Sequence, residues 1–154
     1  MARKSNNISI LQFDTHVISL LRVQRSAKGI EVVSFDQEKG DWPRENDSLK
    51  TALADFIQRH PVKDDMLCTV VPRHEITTRM LLLPTHSPQE AANMVRLSAE
   101  EFVPFSEEEL VIDQALLQKM PNGESRVLAV LAHRDVVGAH VGLLREIGLT
   151  PEKI

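Results

Sequence analysis

At 154 residues the chain has length for one substantial core or two small subdomains, and 42% apolar with 26% charged residues excludes bulk disorder. The formal charge of -4 is mild but uneven: of 18 Lys/Arg and 22 Asp/Glu, residues 1–73 hold 11 and 10, residues 74–154 hold 7 and 12. An acidic second half with no Tyr and one Trp offers neither the basic face nor the aromatic platforms that nucleic-acid binding uses.

The first third reads as a three-stranded meander over 8–13, 16–23 and 29–35, with turn chemistry at Asp14-Thr15 and Ser26-Ala27-Lys28-Gly29. Trp42-Pro43 interrupts regular structure. A helix follows, capped by Asp47 or Ser48, with Leu49, Ala52, Leu53, Phe56 and Ile57 on one face. His60-Pro61 ends it, because the residue before proline is driven out of the helical region. Residues 66–71 read as a buried strand carrying Cys68, an inert thiol and the only cysteine; a disulfide within the chain is excluded. The first unit is therefore β-β-β-α-β.

A second unit starts with a strand over 76–83, stopped by Pro84. Ser87-Pro88-Gln89-Glu90 is a strong helix start, since serine can accept from an early N–H and proline at the first helical position needs no donor. The helix is expected to reach Phe102, with Ala92, Val95, Ala99 and Phe102 facing a core and Gln89, Asn93, Arg96 and Glu100 facing water. Strands over 110–117 and 126–132 should pair as a hairpin through Pro121-Asn122-Gly123. A last helix over 135–147 ends at Gly148, with Pro151 preventing continuation. This unit is β-α-β-β-α, giving an α/β (α+β) chain of two packed subdomains.

Catalytic motifs are missing. No two histidines stand three or four positions apart, so HExxH-type zinc sites do not occur, and there is neither a GxSxG elbow nor a GxxxxGK[ST] loop. The run Glu107-Glu108-Glu109 reads as a solvated loop, because acid–base pairs need unequal burial to separate their pKa values; a docking surface for a basic partner segment is the alternative. Gly138 and Gly142 are consistent with close helix-on-sheet packing. No apolar run approaches the roughly 20 residues that span a bilayer, and the start lacks a signal peptide's uniform apolar core, so a cytoplasmic location is expected.

The informative stretch is Arg79 with Leu81 to Pro84, then Ser87 to Glu90, Glu100 to Phe105, Glu107 to Asp113, and finally Gly148-Leu149-Thr150-Pro151. In this order the chain resembles the N-terminal half of the PilM family of type IV pilus assembly proteins, which are actin-like and related to FtsA. The resemblance implies an RNase H-like subdomain, IA, over residues 6–72 and an inserted subdomain, IC, over 75–150. It also implies a scaffold that clasps the cytoplasmic N-terminal tail of a membrane-anchored partner, PilN, in a groove between the two. The lining residues implied are Thr78, Arg79, Leu81, Leu83, Phe102, Pro104 and Phe105; ordinary core is the competing reading for Leu81, Leu83 and Phe102.

Family members also carry a phosphate loop of the Asp-x-Gly kind after the first strand, which serves Mg-ATP. Here Leu11 and Phe13 stand at the best-matching positions, and sliding the match to Asp14 puts His16 where glycine belongs. The loop is therefore degenerate in either alignment. The second actin-like lobe, which supplies further nucleotide contacts, would begin about where the sequence stops, as in an excised domain or a short relative. The expectation is a non-enzymatic chain that binds neither ATP nor a metal and meets the inner membrane only through its partner. The alternatives are a GspL-like cytoplasmic domain of type II secretion and a fragment of an actin-fold ATPase or sugar kinase.

Overall fold

The computed structural model describes residues 6–43, 47–62 and 65–154. The chain divides into two compact units, Met1–Pro72 with His140–Ile154, and Arg73–Ala139. The sequence reading assigned 75–150 to the second unit; contacts instead return residues 140–154 to the first. A helical period marks a buried stripe without saying which sheet it faces.

The first unit holds strands β1 (Asn7–Phe13), β2 (Val17–Ser26), β3 (Gly29–Lys39) and β4 (Met66–Val70) and helix α1 (Ser48–Arg59). Strand order is β3-β2-β1-β4, antiparallel except for the parallel pair β1 and β4. β3 runs four residues beyond its expected end, because the polar stretch Asp36–Lys39 is held by pairing to β2 rather than by its own β propensity, as in Ser19↔Gln37. Leu11, Phe13, Ile18 and Leu20 bury one sheet face against Leu49, Leu53 and Phe56 of α1, and Leu144 joins them. Residues 152–153 continue alongside β4: the Thr69 N–H donates to the Lys153 carbonyl (2.9 Å) and the Glu152 N–H to that of Leu67 (2.8 Å). Cys68 is half-buried rather than sealed in a core.

The second unit holds β5 (Ile76–Leu83), α2 (Pro88–Leu97), the short α3 (Ala99–Phe102), β6 (Leu110–Lys119) and β7 (Ser125–His133). Its antiparallel sheet has the order β5-β7-β6, so β5 and β6 are edges. Val127, Ala129 and Leu131 of the central strand meet Ala91, Val95 and Ala99, with Leu81, Leu83 and Phe102 at the margin. The buried helix residue is Ala91, where the sequence reading placed Ala92. The expected single helix breaks at Ser98, whose N–H reaches back to the Met94 carbonyl. The β6–β7 turn uses Gly123 at φ 88°, where a side chain would strain the backbone.

Helix α4 (Arg134–Glu146) follows β7 and contributes His140 and Leu144 to the first unit. Gly148 at φ 82° and the Leu149 N–H, which donates to the Leu144 carbonyl (2.9 Å), terminate it. A Cβ added at Gly138 or Gly142 would meet nothing within 4 Å, so close packing does not account for these glycines.

Candidate functional site

The β1–β2 turn stands where the family's phosphate loop is expected. Leu11 is 0% and Phe13 2% exposed, so both side chains point into the core and present no polar atom to a ligand. The Phe13 ring stacks on His140 at 4.1 Å between centroids and 8° between planes. His140 Nε2 lies 2.7 Å from Thr69 Oγ1, which donates its proton to the Leu11 carbonyl at 3.1 Å. A hydroxyl has one proton to give, so His140 Nε2 carries the hydrogen in that pair. The position beneath the turn is thereby filled by a stacked pair tied to β1 and β4.

The turn itself is closed by its own side chain. Asp14 Oδ1 accepts from the N–H groups of His16 (2.7 Å) and Val17 (2.8 Å), and the Asp14 N–H donates to the Val17 carbonyl (2.9 Å). The Thr15 and His16 carbonyls accept from Trp42 and Gly40 N–H groups at 2.8 and 3.0 Å. A phosphate loop works by offering free backbone N–H groups to an anion. Here an internal carboxylate already takes two of them. Among the described residues no cluster of three His, Cys, Asp or Glu side chains is placed to hold a metal ion.

The seven residues implied for partner binding do not converge. Thr78 lies on the sheet face opposite α2, whereas Leu81, Leu83 and Phe102 are half-buried against the helix-side core. Arg79, Pro104 and Phe105 are the exposed ones; the Arg79 guanidinium donates to the Thr78 carbonyl at 3.3 Å. The Phe105 ring stands edge-on to His133 at 4.9 Å and 68°. Sequence reasoning missed His133, because that contact is made by the fold across 28 positions and leaves no local signal.

The acidic run beside Phe105 is a built turn. Ser106 and Glu109 form a capping box, with the Glu109 carboxylate accepting from the Ser106 N–H (2.9 Å) and hydroxyl (2.8 Å). These bonds, the backbone one foremost, hold the Glu109 carboxyl below its ordinary value. Glu107 pairs with Arg96 at 3.3 Å. Exposed carboxylates engaged in caps and surface pairs accord with the solvated-loop reading of this run.

A family model described as type IV pilus assembly protein PilM matches residues 5–154. The chain belongs to the PilM family. Among solved structures, it is similar to a PilM-PilN type IV pilus biogenesis complex, with TM-score 0.77, 18% identity and coverage of 97% of this chain and 47% of that one. It is also similar to the cytoplasmic domain of EpsL, an inner membrane component of the type II secretion system of Vibrio cholerae, with TM-score 0.60, 15% identity and coverage of 95% and 55%. A third similar structure, from Bacteroides thetaiotaomicron, is a protein with an actin-like ATPase fold and unknown function (TM-score 0.47, 11% identity, coverage of 93% and 51%). The chain spans about half the length of these structures. No curated protein sequence matches it. The likeness to the PilM-PilN structure shows a shared fold along 97% of this chain.

Proposed function

We propose that this PilM-family chain is a non-catalytic, actin-like scaffold in type IV pilus assembly, docking the cytoplasmic N-terminal tail of a PilN-like inner-membrane protein. The observation that carries this reading is a fold shared along 97% of the chain with a protein solved as a PilM-PilN complex. The edge strand β5 suits it, since an extended peptide can gain backbone hydrogen bonds from a sheet edge and specificity from adjacent side chains. Of the implied lining residues, Arg79, Pro104 and Phe105 have the exposure to touch a peptide; Thr78, Leu81, Leu83 and Phe102 would act by shaping the surface beneath it. Isothermal titration with a synthetic tail peptide is expected to give binding that Arg79→Ala and Phe105→Ala each weaken by about fivefold or more. Full affinity in both variants would remove the site, and no binding by the unaltered chain would remove the docking role.

The same reading makes the chain inactive toward nucleotide. Asp14 occupies the N–H groups a phosphate would need, and Leu11 and Phe13 offer no ligand to magnesium. Titration with Mg-ATP is expected to show no heat of binding; clear saturable binding would overturn the degenerate-loop assignment. No described helix is long and apolar enough to cross a membrane, so on this reading the chain works in the cytoplasm and reaches the inner membrane through its partner.

The likeness to the cytoplasmic domain of EpsL favours one second reading, a GspL-like role in type II secretion. An encoded transmembrane helix downstream of this segment would select it over the pilus role.

A further inference from the structure

The second sheet has two apolar faces and one helix layer. On the face opposite α2, Met80 and Leu82 are each 56% exposed and Val111 is 41% exposed, while Leu128 of the central strand lies between Met80 and Ala115. A contiguous apolar surface of this kind marks an interaction site. Two charges border it. Asp113 lies in the row before Met80 and Leu128, opposite Val130, and Arg126 in the row after, opposite Leu82. Neither charge has an ion-pair partner among the described residues.

We propose that a second copy of this chain docks on this face, sheet against sheet, about a two-fold axis. Three strands of eight residues present an area of about 14 by 27 Å, roughly 400 Å² on each copy. That is below the standard size of specific interfaces, so the association should be weak and transient, in the high-micromolar range. Charge selects both the occupant and the axis. A two-fold parallel to the strands through β7 would set Arg126 against its own copy. A two-fold across the strands through the Met80–Leu128 row exchanges the row of Asp113 with that of Arg126. Each guanidinium then stands about one strand spacing, roughly 4.8 Å, to the side of the partner's Asp113, within an arginine's reach. Met80 and Leu128 meet their own copies at the centre, and the methionine's flexible thioether adapts to the fit. One acid and one base in rows that this two-fold exchanges, on adjacent strands, suit a copy of the same surface.

Sedimentation velocity over a concentration series reaching about 1 mM tests this, with circular dichroism confirming that each variant is folded. The unaltered chain should dimerise, and Arg126→Asp or Asp113→Arg alone should weaken association about tenfold or more. The double reversal R126D/D113R should restore it, which a merely sticky surface would not do. A chain monomeric throughout the series overturns the proposal, and so does a dimer indifferent to the single reversals or unrestored by the double one. A monomer whose Met80 and Leu128 resonances shift only on adding the PilN-like tail peptide would assign the face to that peptide and equally overturn the second copy.

Discussion

Glu109 shows how one side chain's neighbours decide its chemistry. In the sequence it is the last of three glutamates and the one with a serine three residues earlier. Folding brings that serine onto its carboxylate, which accepts two hydrogen bonds that favour the charged form. Its pKa therefore lies below the ordinary 4.5. A carboxyl lowered by folding contributes stability that is complete above 4.5 and is lost as the pH falls through the folded value. NMR titration of the Glu109 side chain should give a midpoint below 4.5, and Ser106→Ala should move it back toward 4.5; an unmoved midpoint would exclude the capping box as the cause. That Leu11 and Phe13 stand where a phosphate loop needs an acid and a glycine was legible in the sequence, because it depends on residue type alone. The stack of His140 on Phe13 was not legible. It joins residues 127 positions apart, and a histidine on a helix carries no mark of the ring it will meet.

Where an element is specified by its own residues, reading and structure coincide. Helix α2 begins at Pro88 because Ser87 accepts from the Glu90 N–H (3.4 Å) and its own N–H donates to the Thr85 hydroxyl (3.0 Å). All three side chains lie within six positions, which is why the start could be read directly. Ser87→Ala should destabilise the chain by about 1 kcal/mol in urea unfolding, and an unchanged midpoint would show that Thr85 alone organises the turn. The element ends that depend on pairing were not legible. β3 reaches Lys39 because β2 accompanies it, and register shifts once, between Arg22 and Val23, where β3 carries one extra residue. Apolar alternation cannot announce such a bulge, since the extra residue, Val33, resembles its neighbours. For the candidate site the same division holds: ordinary core was already the competing reading for Leu81, Leu83 and Phe102, whereas the edge contact of Phe105 with His133 is made by the fold and leaves no local signal.

For the whole molecule the decisive element is α4. The second unit is an insertion into the first: the chain leaves after Pro72 and returns at His140, within a continuous helix. Sequence periodicity put the whole helix in the second unit, because helical spacing is unbroken across the return point. The physical consequence is that Leu144, 0% exposed, belongs to the core of Leu11, Leu20 and Leu53. Leu144→Ala should then cost about 3 kcal/mol, from lost transfer energy and the cavity left behind. The loss should also be local in kind. Native-state hydrogen exchange should speed up in β1, β4 and α1, the elements whose core lost a side chain, with β5, β6 and β7 keeping their protection against local opening. The reverse pattern would place Leu144 in the second unit and restore a boundary near residue 150. If the expected pattern holds, peptide affinity should survive Leu144→Ala wherever the chain remains folded, because the residues proposed to touch the tail all lie in the inserted unit.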